Sequence, residues 1–435
     1  MLLTIRSLLT KQFSGQLQRA KLVATNSRQK SHQPHHAAAP LSWTAIEEDC
    51  ISTPGRESAY YLYAHFLAAR ARDRSELAWW PYSWGVIYID LMHATSPQLD
   101  PGPILQTAFA FWSSKVLLTA VEFEVFTKLG NRRLTGAQMG AEVGLHRRAI
   151  SDFFDALVAM KFLDREGDGP DAKYFNTPSA SLYLDSSSPR YIGGILIMLN
   201  DRLFKFWHDL PTALRTGSPQ NETKHGQKAI FEELYEELPR LEQFMGAMTG
   251  LSRINFEAFA AKFDFSRYKT LCDVGGATGL LSIECAKKHP HLKCISFDLP
   301  PVEPIAQKHI AAAGLSDRVS TASGDFFKDP LPKADLITMG MILHDWNLEK
   351  KMHLIRLAYE ALPPGGALVA IEALIDDARR ENVFGLLMSL NMLIEFGDAF
   401  DYSGADFRKW CGEVGFKRFD VIHLAGASSA AIAYK

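Results

Sequence analysis

The stretch 270–279, Thr-Leu-Cys-Asp-Val-Gly-Gly-Ala-Thr-Gly, limits what this chain can fold into more than any other. A short apolar run carries Asp273 near its end and breaks into Gly275, Gly276 and Gly279, after which residues 280–286 read as helix. Strand, tight turn and helix start, in that order, open a strand–helix–strand unit. Glycine lets a backbone pass close beneath a bound nucleotide, and the helix N-terminus adds free N–H groups. Many dinucleotide folds share such a loop, so its company matters. A second apolar run, 293–297, ends in Asp298-Leu299-Pro300, where an acid suits a ribose diol at the carboxyl edge of an open parallel sheet. A third acid follows in Gly324-Asp325-Phe326-Phe327, and a fourth run, 334–339, leads to His344-Asp345-Trp346.

Five segments now stand in order: Asp-Val-Gly-Gly-Ala-Thr-Gly, Phe-Asp-Leu-Pro, Gly-Asp-Phe-Phe-Lys-Asp-Pro-Leu-Pro, Leu-His-Asp-Trp and Pro-Pro-Gly-Gly. Together they resemble the small-molecule O-methyltransferases that use S-adenosylmethionine, a family that includes acetylserotonin, caffeic acid and bacterial polyketide O-methyltransferases. The resemblance covers residues 105–435 and is nearer to the bacterial and acetylserotonin types than to the plant type. It implies an α/β, Rossmann-like, doubly wound class I methyltransferase domain preceded by a mainly helical winged-helix dimerisation domain. It also implies a homodimer, with S-adenosylmethionine as methyl donor.

The resemblance further assigns individual residues. Gly275, Gly276 and Gly279 would let the donor approach the backbone. Asp298 with Leu299 would face the ribose, and Gly324, Asp325 and Phe326 the adenine. Asp345 and Asn391 would contact donor or acceptor. Trp207, Phe244 and Met248 fall in the stretch that lines the acceptor pocket, where an apolar, adaptable wall suits a flat aromatic. The chain also departs from the pattern. Gly340 stands where plant enzymes carry Lys, Met341 where acetylserotonin types often carry Arg, and Phe400-Asp401-Tyr402-Ser403 where many relatives have a Glu-Arg-Thr motif.

Methyl transfer from a sulfonium needs an oxygen nucleophile in line, water excluded and a proton removed. A phenol ionises near pH ~10, so a positioned base helps at neutral pH. His344, just past a strand's carboxyl end, is the expected general base. An acid should fix its tautomer and stabilise its cation. Glu372, at the end of the strand expected over 367–371, is the expected orienter, since the resemblance implies an acid at this strand end, and Asp401 is the second candidate. No metal is expected in this scheme.

In chain order, residues 1–40 hold basic residues and no Asp or Glu, the style of an organellar transit peptide or of a disordered extension. The location expected is cytoplasmic, or mitochondrial if that segment is a targeting signal. Residues 41–102 form an aromatic arm of no assigned role. Residues 103–190 read as helices over 104–118 and 120–129, then helix-turn-helix and two wing strands. Such a module can bind DNA, but Asp152 and Asp155 on its second helix favour dimerisation. Residues 191–268 read as a helical linker to the pocket, and 269–435 as alternating strand and helix, with late strands antiparallel. A net charge of −2 gives no pull toward nucleic acid or membrane, and no apolar run is expected to reach the length of a membrane span. Five cysteines without metal spacing suggest buried free thiols. Two rival readings are a donor-binding relative with another reaction, decarboxylation or hydroxylation, and a winged-helix regulator that uses the donor as ligand.

Overall fold

One long helix, Gly102–Glu122, leads the part of the chain that the computed structural model describes, residues 99–225 and 238–435. The extension at 1–40, the arm as far as residue 98, Cys50 and residues 226–237 of the linker lie outside the described residues. The helix corrects two expectations. It does not break at Thr119, because a lone threonine costs only a few tenths of a kcal/mol in a helix, and no glycine or proline lies between Pro103 and Gly130. The break comes at Glu124, whose φ of 56° is left-handed. Undivided, the helix has 21 residues and is apolar enough, by length and composition, to cross a membrane. Its C-terminal end is core, since Leu118, Ala120 and Val121 are buried. Its N-terminal half is not: Ile104 is 73% and Trp112 58% exposed, with Leu105, Phe109 and Phe111 beside them.

The winged helix follows. Helices Gly136–Glu142 and Ile150–Ala159 pack on a sheet of β1 (Leu134–Thr135), β2 (Leu163–Glu166) and β3 (Lys173–Asn176), in the order β1-β3-β2 and antiparallel throughout. Thr135 and Gln138 cap the first of these helices reciprocally. Val125, Phe126, Leu129, Phe154, Leu157 and Leu163 fill its core. Arg132, Arg133, Arg148 and Arg165 pair with Glu142, Glu166, Asp152 and Asp155, so much of the module's basic charge is already neutralised at home.

The second sheet has seven strands: β4 (Thr270–Val274), β5 (Lys293–Asp298), β6 (Val319–Ser323), β7 (Leu336–Gly340), β8 (Ala367–Glu372), β9 (Arg418–His423) and β10 (Ser429–Tyr434). Their order is β6-β5-β4-β7-β8-β10-β9. The first five are parallel, β10 runs antiparallel to β8, and β9 pairs antiparallel with β10 at the edge. Buried clusters cover both faces, which is why β4, β7 and β8 read as nearly continuous apolar runs. The strand order reverses at β4, between β5 and β7, and a ligand crevice is expected outside the carboxyl ends there.

The helix Leu238–Lys262 joins the two parts. Phe259, Ala260 and Phe263 sit in the sheet's core. Further up the same helix, Arg190 from the winged-helix side pairs with Glu257, and Gly250 packs closely enough that a Cβ would meet the Tyr191 carbonyl at 3.0 Å. Residues Pro101–Lys435 accordingly form one compact unit. Cys272, Cys285, Cys294 and Cys411 are free and buried.

Candidate active site

The loop after β4 supplies the first half of the site. Gly275 and Gly276 both donate their N–H to the Phe297 carbonyl, at 2.9 and 3.2 Å, which folds the loop against the end of β5. Gly275 (φ 71°), Ala277 (φ 51°) and Gly279 (φ 76°) all take left-handed backbone. Glycine is demanded here by the chain itself: a Cβ on Gly275 would lie 2.3 Å from Ile342 Cδ1, and one on Gly276 2.3 Å from Ser296 Oγ. Ala277 accepts the left-handed turn as an alanine, a feature the sequence does not advertise.

Asp298 closes the loop. Its Oδ2 accepts from the Ala277 N–H at 2.9 Å and its Oδ1 from the Leu299 N–H at 2.7 Å. Burial raises its pKa while these two amides oppose the rise. Asp273, one strand over, accepts from the Thr338 hydroxyl at 2.9 Å and is pushed up to about 7 by burial. Gly324 donates its N–H to the Asp298 carbonyl at 2.9 Å. Asp325 pairs with Lys328 at 2.7 Å and accepts the Phe327 N–H at 2.9 Å, and the pairing holds it below the usual carboxylate range. Phe326 meets Trp346 edge-on with ring centres 6.1 Å apart, and the buried Trp346 Nε1–H finds no partner among the described residues. Acid, aromatic edge, backbone turn and an open donor are together the chemistry that suits a nucleoside.

The turn after β7 supplies the second half. Leu343–Asp345 forms one tight turn in which His344 is buried. Its Nδ1 lies 3.4 Å from Asp401 Oδ1 and its Nε2 3.3 Å from Asp345 Oδ1. Glu372, last residue of β8, uses Oε1 to accept the Leu343 N–H at 3.1 Å, so it holds the turn's backbone. Asp401 is therefore the acid at Nδ1 and Asp345 the acid at Nε2. Burial alone would push the imidazole below its ordinary value, but Asp345, Glu372 and Asp401 outweigh burial and lift it to about 10. Burial pushes Glu372 up to about 7 and raises Asp345. His344 Nδ1, Glu372 Oε2 and Asp401 Oδ2 are buried and make no well-formed hydrogen bond among the described residues.

Ligand atoms of His344, Glu372 and Asp401 lie within 4.8 Å of one another, a spacing a small cation could bridge. Positive charge is already at hand in the imidazolium and in Lys351, a residue the sequence reading passed over. Lys351 is fully buried and stands close enough to Glu372, Asp401 and Asp345 that each steadies its charge.

The acceptor side is built from helices. Trp207 donates its indole N–H to Asn391 Oδ1 at 2.9 Å, tying the segment before β4 to the helix Val383–Phe396. Ser389 on that helix accepts the Asp401 N–H at 3.2 Å. Met248 is half-buried on the helix Leu238–Lys262. Phe244 lies on the same helix but packs against the cluster of Leu241, Met245, Val302 and Ile305, which Ala277 and Leu299 of the donor loop also meet.

Comparison with known proteins agrees with this division. An O-methyltransferase domain matches residues 207–417 and an O-methyltransferase dimerisation domain matches residues 105–186. The tetracenomycin polyketide synthesis 8-O-methyl transferase of Streptomyces glaucescens is 37% identical over 335 residues, spanning 77% of this chain and 97% of that protein. An N,N-dimethyltransferase of Streptomyces rimosus is 33% identical over 74% of this chain and 92% of its own length. Human N-acetylserotonin methyltransferase, solved in complex with SAM, superposes with a TM-score of 0.71 at 31% identity, covering 78% of this chain and 99% of that one.

Proposed function

The chain belongs to the S-adenosylmethionine-dependent O-methyltransferase family, and on that premise we propose that its acceptor is a phenolic hydroxyl on a small aromatic or polyketide-like molecule, with His344 taking the proton. The observation that carries this reading is the His344 cluster. A buried imidazole at the carboxyl end of β7 has Asp401 at Nδ1 and Asp345 at Nε2, so the acceptor hydroxyl would take the place of Asp345 at Nε2 for that nitrogen to receive its proton. Gly275, Gly276, Gly279, Asp298, Leu299, Gly324, Asp325, Phe326 and Asp345 would hold the donor. When bound, the donor supplies an electrophilic methyl on a sulfonium, whose charge disfavours a second cation close by.

The raised imidazole pKa has a kinetic consequence. At neutral pH the ligand-free histidine is mainly imidazolium, so the base form that accepts a proton grows as pH rises toward about 10. A phenol ionises near the same value, so transfer between the two is nearly balanced and the proton moves without a large penalty. Asp401 and Glu372 then hold the imidazolium that results. Burial of the cluster excludes the water that would otherwise compete as a proton acceptor.

An aromatic acceptor is supported by the Trp207–Asn391 wall and by the polyketide and acetylserotonin named for two of the relatives. The S. rimosus relative makes nitrogen the acceptor to exclude. The test is transfer of labelled methyl from the donor to phenols, to the matching anilines and to phenols blocked at oxygen. Label should enter the phenols alone, with kcat/KM climbing from pH 7 to pH 9. Label confined to anilines, or a profile flat in pH, sinks the reading.

The dimerisation domain supports a homodimer, and the exposed Ile104, Phe109 and Trp112 are the surface it would cover. Sedimentation at micromolar concentration should give a dimer, weakened by Trp112→Asp. A wild-type protein that runs as a stable monomer removes this part.

A further inference from the structure

We propose that Lys351 is a positioning residue of the methyl-transfer site: its buried ammonium bolts the turn that carries His344 to the loop that carries Asp401, and balances the acids around the imidazole. This rests on the reading of His344 as the base.

Lys351 sits in the first turn of the helix Leu348–Ala361. Among the described residues it is the only Lys or Arg whose side chain is buried. A buried ammonium is costly unless its donors and its charge are both met. Lys351 meets them at two places that matter. Nζ donates to the carbonyl of Trp346, the residue that ends the His344 turn. It also donates to the carbonyl of Phe400 at 2.8 Å, one residue before Asp401. It lies 3.6 Å from the centre of the Phe400 ring and 5.8 Å from that of Tyr402, so aromatic faces clasp the charge. One side chain thereby joins the Trp346 carbonyl to the loop of Asp401, beside the Asn347–Asp398 hydrogen bond at 2.8 Å.

The second effect is electrostatic. The groups that face Lys351 are Glu372 from β8, Asp401 with Tyr402 from the loop after Val383–Phe396, Asp345 from the turn, and Asp398, which is itself held by Asn347 at 2.8 Å. Three acids crowd one imidazole, and Lys351 brings its charge to bear on those same acids. Burial lowers the ammonium to about 8 while the acids oppose the fall. Near neutral pH it is therefore charged, and its positive field opposes protonation of His344.

The sign of the consequence follows. Removing the charge leaves the three acids to hold the imidazolium more tightly, so the base form appears at higher pH. Lys351→Met and Lys351→Gln should each move the midpoint of the kcat–pH profile up by about one unit, the scale of one neighbouring charge. That corresponds to about tenfold lower kcat at pH 7. Donor affinity and acceptor KM should stay near wild type, and Lys351→Arg should restore the midpoint. Lys351→Met leaves two carbonyls without a donor and risks the fold. Lys351→Gln keeps N–H groups to offer while losing the charge, so its profile decides if Lys351→Met is unstable. Neutral variants that fold and keep the wild-type midpoint overturn the proposal. So does failure of both to fold while Lys351→Arg folds, since that marks a purely structural role. A His344→Ala control separates the two readings. If it is fully active at pH 7, the base reading falls and this proposal with it. If it is inactive beside unshifted Lys351 variants, the proposal falls alone.

Discussion

The two halves of the site are built on opposite principles. Around the donor loop, polar groups are tied mainly by backbone: Asp298 takes two amides, Gly275 and Gly276 share the Phe297 carbonyl, and Gly324 returns to Asp298. Around His344, three buried polar side chains face one another with no well-formed hydrogen bond at His344 Nδ1, Glu372 Oε2 or Asp401 Oδ2. The first half is braced largely by backbone, although Trp346 Nε1 and Ser296 Oγ lack a partner among the described residues and burial lifts Asp273 to about 7. The second is poised electrostatically, with His344, Glu372 and Lys351 all displaced from their ordinary pKa values. Recognition is entrusted to geometry and proton transfer to charge.

Three substitutions can break or sharpen that contrast. The largest effect should come from His344→Ala, which should lower kcat by about 10²–10⁴, the contribution of a positioned general base, while leaving donor affinity unchanged. The deficit should shrink as pH rises, because the free phenol then ionises unaided. Full turnover at pH 7 would make His344 structural. Next is Asp298→Ala, which should weaken donor binding by about 1.5–3 kcal/mol, as expected when charge-assisted hydrogen bonds are lost. Calorimetry should find that loss equal at pH 7 and pH 9. An unchanged affinity, or a strongly pH-dependent loss, would erase the contrast. The smallest effect should come from Glu372→Gln. It removes one of the acids that hold the imidazolium, so the kcat–pH midpoint should fall by about one unit, opposite in sign to the neutral Lys351 variants. A midpoint that rises or stays put would show that Glu372 acts on the turn's backbone alone.

How much of this was legible in the sequence depends on how local each feature is. The donor loop, Asp298 and the His344 turn each lie within a few residues of a strand end, so pattern and spacing reach them. The antiparallel pairing of the last two strands was also within reach, since residues 424–428 between them are too few for a crossover. The order of the acids was not. Glu372 sits nearer to His344 in sequence, yet the loop of Asp401 folds back to place that carboxylate at Nδ1. Lys351 is half of a Lys-Lys pair that looks like a solvated helix face. Only the spacing of Lys351, Leu354, Ile355 and Ala358, all buried, marks it as facing inward. The break expected at Thr119 failed because local propensity is weak against a helix whose end is set by packing.

Ile342 gives the contrast a further meaning. Its Cδ1 occupies the place a side chain on Gly275 would need, so the donor loop and the histidine turn are wedged against each other with no slack. A side chain at 275 would have to displace Ile342, and the left-handed backbone at Gly275 narrows its choices further. Lineages that diversify this scaffold therefore have little freedom at its hub. Novelty has to be written at the periphery, on positions such as Trp207, Met248 and Asn391, where a changed side chain alters what is held without unseating how it is held.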